Sequence, residues 1–246
     1  MKQEEIIEIK KSISNEVNNK LQNSVIPIFK GTSELHIEQI GTGFYISYKN
    51  NLYVITANHV FKEDFNVLYP DSETTLGTIP YENPFASETV DLAVYPLKEP
   101  LKYNFKPYIL SENLINNYSE GKFFCCGYPA TKCKFFNKQV KNIFKTFISE
   151  YESNPNNEQF KIDPRFEIPI TFNRKDVISY TGENISFPYP NGMSGGPLFS
   201  FNMDDNKQLK YEIAGILTRY DANNEKTMVA TNMRFVQLML DRINQT

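Results

Sequence analysis

From Val25 onward the apolar residues of this 246-residue chain recur mostly at every second position, and a two-residue period is the signature of half-buried strands. VIPIF, LHIEQIGTGFYISY and LYVITAN read as strands, with Lys49-Asn50-Asn51 as a hairpin turn between the last two. Shorter strands are expected at FNVLYP, TLGTIP and DLAVYPL, separated by Asp, Ser, Glu and Asn clusters that mark loops. Lys98 to Asn117, with prolines, asparagines and little regularity, reads as a connection. The pattern resumes near Lys122 with FFCCGYPA and runs through QVKNIFKTFISEY, FEIPITF, DVISYTG, PLFSF, YEIAGILTRY and TMVAT. Two interruptions are polar: SNPNNEQ at 153–159, expected as a long exposed loop, and a turn at Asp204-Asp205-Asn206. Only the ends depart from this period. Ile6, Ile9, Ile13, Val17 and Leu21 stand at helical steps of three and four, and MRFVQLMLDRIN sets Phe235, Val236, Met239, Leu240 and Ile243 on one helical face. An all-β chain with a helix at each end is therefore expected.

One stretch stands out chemically. Gly192-Met193-Ser194-Gly195-Gly196-Pro197 sets a serine in a glycine-lined turn between two hydrophobic runs. A serine hydroxyl is a weak nucleophile unless a base takes its proton and donors receive the oxyanion formed when it attacks a carbonyl. Glycines leave room for both, although Asn191-Gly192 is also an ordinary turn signal. The stretch fits G-x-S-x-G as well, the nucleophile elbow whose acid and histidine follow the serine. That order is impossible here, because both histidines, His36 and His59, precede Ser194. The order His, Asp, Ser is available through His59 in VITANHVF, Asp91 in TVDLAVYPL and Ser194. His59 follows a strand directly, where a side chain can face a cleft, whereas His36 sits within an alternating segment and reads as a strand residue without chemistry. Asp91, taken alone, could equally be a strand-start cap or a turn acid.

These three segments resemble those of the trypsin-like, chymotrypsin-fold serine peptidases, and are similar in particular to the bacterial HtrA-type branch, here without a PDZ domain. The similarity extends to GTGFYI, to Gly127-Tyr128-Pro129 and to AGILTR. The resemblance implies two six-stranded antiparallel β-barrels. Residues 1–22 would form the N-terminal helix, 23–115 the first barrel with His59 and Asp91, and 116–246 the second barrel with Ser194 and the C-terminal helix. It further implies a serine endopeptidase with His59 as base, Asp91 as orienting acid, Ser194 as nucleophile, and the amides of Gly192 and Ser194 as the oxyanion hole. The substrate pocket would have Pro188 at its floor, with Ile216 and Thr218 on one wall and Phe187 nearby. With no acid at the floor, an apolar or small side chain is expected there, unless Arg219 turns inward and selects an acidic one.

Composition narrows the partners. A net charge of −3 with both signs dispersed carries no footprint for nucleic acid or an anionic membrane. The N-terminus lacks an apolar core of signal-peptide length and no run reaches the span of a membrane helix, so an intracellular, cytoplasmic protein is expected. Three cysteines, Cys125, Cys126 and Cys133, are odd in number and read as reduced structural thiols. No metal or organic cofactor is implied; the expected partner is a protein or peptide substrate. A regulatory partner or self-association through the N-terminal helix is a further option, beside packing of that helix on the barrels. The alternative function is a latent or inactive fold acting as a partner-regulated binding or scaffold protein. Esterase chemistry on the same residues is a third.

Overall fold

The helical stripe at the N-terminus survives over five turns because the helix changes pitch partway. In the computed structural model of the chain, which describes residues 3–33, 36–61, 67–73, 75–112, 121–136, 139–141, 143–153, 161–174, 177–178, 184–220 and 227–245, α1 spans Gln3–Glu16. It continues as a π-helical turn over Val17–Leu21 and a 3-10 turn over Gln22–Ser24. Steps of four residues drift by about 40° per step on an α-helix, and the wider π turn takes up that drift. Ile9, Ile13, Val17 and Leu21 consequently all reach one buried face. That face lies within the chain's own core, while Ile6 and Ile7 at the start of the helix are only partly buried.

The strands of the first half are β1 (Val25–Ser33), β2 (His36–Tyr48), β3 (Asn51–Ala57), β4 (Val67–Pro70), β5 (Leu76–Thr78), β6 (Phe85–Ser87), β7 (Leu92–Pro96) and β8 (Tyr108–Ile109). They form one sheet in the order β5-β4-β1-β2-β3-β7-β6. Its one parallel pairing among the described residues joins β8 to β2 at Ile46 and Ser47. This differs from an irregular connection over Lys98 to Asn117, and the register gives the reason. β1 begins opposite Phe44, which leaves the last residues of β2 with a free edge that Tyr108 and Ile109 occupy. The β2–β3 hairpin turns through Lys49 and Asn50 at φ 48° and 67°, the left-handed pair a two-residue hairpin requires.

The second half contributes β9 (Lys122–Gly127), β10 (Lys134–Phe136), β11 (Gln139–Lys141), β12 (Lys145–Glu150), β13 (Glu167–Thr171), β14 (Val177–Ile178), β15 (Asn184–Ile185), β16 (Pro197–Met203), β17 (Leu209–Tyr220) and β18 (Thr227–Asn232). Six make an antiparallel sheet, β12-β9-β16-β17-β18-β13, while β10-β11 and β14-β15 are separate small hairpins. QVKNIFKTFISEY is thus two strands, not one. Of DVISYTG only Val177 and Ile178 are described, and of SNPNNEQ only Ser153. The chain ends in α2 (Met233–Ile243), capped by Asn232, whose side-chain oxygen accepts the Arg234 amide at 2.9 Å.

Strands buried on both faces alternate between separate cores. Along β2 and β3, Tyr45 and Val54 point into the first sheet's interior, while Phe44, Ile46, Tyr53 and Ile55 face a seam between the sheets. Along β9, Phe123 and Cys125 enter the second interior and Phe124 and Cys126 the seam, which explains the unbroken apolar run FFCC. Both terminal helices close this seam. Ile13, Val17 and Leu21 reach it from α1, and Met233, Val236 and Leu240 from α2. No helix among the described residues is long and apolar enough to cross a membrane.

Candidate active site

β3 delivers its last residue, Ala57, to a short 3-10 turn over Asn58–Phe61, and His59 lies in that turn, half exposed. β7 runs antiparallel to β3 and pairs Leu92 with Ala57, so the residue just before β7, Asp91, is brought beside the turn. Asp91 sits in the left-handed region at φ 46°, a conformation that aspartate tolerates better than most residues and that its surroundings enforce. Its carbonyl accepts the Asn58 amide at 3.0 Å, and the carbonyl of Val90 before it accepts Thr231 Oγ1 at 2.6 Å from the second sheet. With its backbone held on both sides, the Asp91 carboxylate meets His59 twice. Oδ1 accepts the His59 backbone amide at 2.9 Å, and Oδ2 lies 2.7 Å from Nδ1. An ionised carboxylate only accepts, so the proton of this contact belongs to Nδ1 and Nε2 is left with its lone pair for other work.

Ser194 arrives from the second half, in the turn before β16. Its carbonyl accepts the Thr42 amide of β2 at 2.8 Å. On either side the turn is stitched to its own sheet: the Gly195 amide donates to Leu217 at 2.6 Å, and the Leu217 amide to Gly196 at 2.8 Å. Gly41 marks how close the two halves come. A Cβ built there would lie 2.6 Å from Val60, the residue after His59, and 3.2 Å from the Ser194 carbonyl. The turn bearing His59 and the turn bearing Ser194 therefore flank one position on β2. No hydrogen bond joins Ser194 Oγ to His59 Nε2 among the described residues, a contact that in free enzymes often tightens only with substrate bound. The amides of Gly192 and Ser194 have no protein acceptor among the described residues, whereas those of Met193, Gly195 and Gly196 all do.

The pocket residues read from sequence divide. Pro188 is partly exposed, next to a buried Phe187 that packs edge-on against Phe147 and Phe172. Ile216 does not belong there. It is fully buried on the seam face of β17, opposite the face that carries Leu217 toward Phe187 and Met193, so it lines the core and not a cleft. Thr218 is buried too, and its hydroxyl donates to the Val229 carbonyl at 3.3 Å. Arg219 is paired with Glu167 at 2.7 Å and with the Lys161 carbonyl, so a substrate acid would have to displace an existing carboxylate. Across the turn, Tyr220 Oη donates to Asn191 Oδ1 at 2.9 Å. Sequence reading assigned no role to Thr42 or Ala130, both of which bond to the 191–194 turn; GTGFYI and GYPA were visible only as similar segments.

The cysteines carry no reactive thiolate at neutral pH. Burial pushes Cys125 up to about 12 and Cys133 up to about 11, and raises Cys126 well above the ordinary thiol range. Only Cys133 has partial exposure. Because the thiolate is the nucleophile, alkylation of the native protein by iodoacetamide is expected at Cys133 alone, rising about tenfold per pH unit from 8 to 10. Peptide mapping after labelling checks this; rapid modification of Cys125 or Cys126 at pH 7 without denaturant contradicts it. Among the described residues no group of His, Cys, Asp and Glu could hold a metal ion.

The two-sheet fold resembles that of kallikrein-related peptidase 10, a solved structure that superposes with a TM-score of 0.55 over 90% of this chain and 94% of that one, at 14% identity. At that identity the likeness is one of fold, and the class it defines is the chymotrypsin-type architecture of serine peptidases. In sequence, the family model of the trypsin-like peptidase domain matches residues 41–205, more than half of the chain, and the chain belongs to that family. No curated protein matches it in sequence.

Proposed function

We propose that the chain is a serine endopeptidase in which Ser194 is the nucleophile, His59 the base and Asp91 the residue that orients it. The observation that carries this reading is the double contact of Asp91 with His59, one carboxylate oxygen on the backbone amide and the other on Nδ1, beside a serine whose turn is bonded to the neighbouring strand. Ser194 Oγ attacks a peptide carbonyl carbon while its proton passes to His59 Nε2. The oxyanion is received by the Gly192 and Ser194 amides. The C–N bond then breaks, His59 returning the proton to the leaving amine. Water, deprotonated by His59, cleaves the acyl ester and restores the serine.

Finer points of the reading are an intracellular, bacterial setting close to the HtrA-type branch, and a preference for an apolar or small side chain beside Pro188. The preference rests on the lack of an acid at that position and on the engagement of Arg219 by Glu167.

A fluorophosphonate, which is attacked only by an activated serine, tests the reading. Wild-type protein is expected to gain one adduct by intact mass, and Ser194→Ala and His59→Ala none. A folded wild type that takes up no adduct would point to the scaffold alternative, and labelling of Ser194→Ala would assign the nucleophile elsewhere.

A further inference from the structure

Thr42 ties the nucleophile turn to the first sheet through every polar atom it has. Its amide donates to the Ser194 carbonyl at 2.8 Å, and its carbonyl accepts Thr56 Oγ1 at 2.7 Å. Its hydroxyl, on a side chain with no solvent exposure, donates to the Gly192 carbonyl at 2.6 Å and accepts the Tyr128 amide at 3.1 Å. Tyr128 is itself fixed, its carbonyl accepting Gln39 Nε2 from β2.

The Gly192 carbonyl belongs to the peptide leading into Met193. The peptide before it is held as well, because the Asn191 carbonyl accepts the Ala130 amide at 2.7 Å. In a trans peptide the N–H points away from the C=O, so anchoring the Asn191 carbonyl on Ala130 turns the Gly192 N–H to the opposite side. Both planes flanking Gly192 are thereby set, at a φ of 88° that only glycine adopts readily. A Cβ there would come within 2.7 Å of Ala130 N and 2.9 Å of the Tyr128 carbonyl. Met193, the next residue, is 1% exposed and packs with Phe187, Leu198 and Leu217. Its anchor is apolar, with no charge for pH or a new terminus to switch.

We propose that Thr42 is a positioning residue for the oxyanion site: its hydroxyl and the Ala130 amide hold the peptide planes on either side of Gly192, so that the donor pair stands assembled before substrate arrives and requires no activating partner. This rests on the reading of Ser194 as the nucleophile. A donor held for the oxyanion acts in the transition state, so its loss lowers kcat more than it raises KM.

Thr42→Val removes the hydroxyl at nearly constant shape, and Thr42→Ser keeps it. With purified full-length protein and a peptide ester substrate, Thr42→Val is expected to lower kcat and the rate of fluorophosphonate labelling roughly tenfold to thousandfold, with KM within about twofold and Thr42→Ser within about threefold of wild type. Ala130→Pro provides a second route if Thr42→Val fails to fold. Ala130 opens a 3-10 turn after Pro129, and proline there removes the amide that meets the Asn191 carbonyl and sets its ring carbon against that oxygen, so the substitution deletes the other hold on the loop and pushes it aside. It is expected to reduce labelling in the same direction. A folded Thr42→Val that labels at the wild-type rate, or a Thr42→Ser as impaired as Thr42→Val, overturns this proposal alone. A wild type that labels only with an added factor overturns this proposal and leaves the nucleophile reading standing, whereas one that labels under no condition overturns both.

Discussion

Gly195→Ala is expected to abolish cooperative folding, or to leave a protein whose thermal transition lies far below that of wild type. The residue sits at φ 91°, where a side chain is strained whatever space surrounds it. Space is absent as well. An added Cβ would overlap the Thr42 carbonyl oxygen and Thr56 Oγ1, and would stand 2.9 Å from Thr56 Cβ. Two of these atoms belong to a hydrogen bond buried between β2 and β3, so neither can withdraw without breaking it. Overlap with backbone in a closed core belongs to the few mechanisms that cost more than about 4 kcal/mol, a large share of the roughly 5–15 kcal/mol that holds a domain together. Circular dichroism during heating would decide it, and a Gly195→Ala protein melting at the wild-type temperature would contradict the packing described here. The same glycine follows the nucleophile, so a chemical role and a folding role coincide in one turn.

Removal of residues 1–22 is expected to be nearly as damaging. Ile9, Ile13, Val17 and Leu21 are at most 9% exposed, and their burial contributes on the order of 6–12 kcal/mol, comparable to the whole stability of a domain. The polar ties of α1 add little: Glu8 meets Lys207 at 3.3 Å on the surface, and Glu16 accepts Tyr211 Oη at 2.9 Å. The shortened chain should therefore be insoluble, or soluble with no cooperative melt. If it melted like the full chain and kept its activity, α1 would be an accessory and not part of the core.

Much of this could be read before any coordinates. The strand that ends before His59, the strand that begins after Asp91 and the glycine turn that holds Ser194 were legible because each lies in a short box whose own residues announce it, whereas the pairing of Asp91 with His59 was expected only from the family resemblance. The period-two runs and the two amphipathic ends were legible for the same reason, since each signal is local. What escaped is what depends on the other half of the chain. The Thr42 hydroxyl and the Gly192 carbonyl are 150 positions apart, and no local pattern pairs them. Ile216 was misplaced because AGIL, buried on both faces, carries no alternation to say which side meets the seam. For α1 the stripe was plain but its partner was not: an apolar helix face looks identical whether its own core covers it or another molecule does.

The seam closed by both terminal helices has a consequence for how the chain reaches this state. Tyr48 donates to Asp241 across 193 positions, and Tyr211 to Glu16 across 195. Contacts of that span are slow to form, because loop closure must come before the contact that rewards it. During synthesis β2 and β3 emerge early with Phe44, Ile46 and Ile55 turned toward a partner surface largely not yet made. Until β16, β17 and finally α2 leave the ribosome, α1 is the one part of the cover already made, and an incompletely covered apolar face is prone to associate with other chains. Closure of the seam thus waits on α2, whose Met233, Val236 and Leu240 complete a core that β2 and β3 begin about 180 residues earlier.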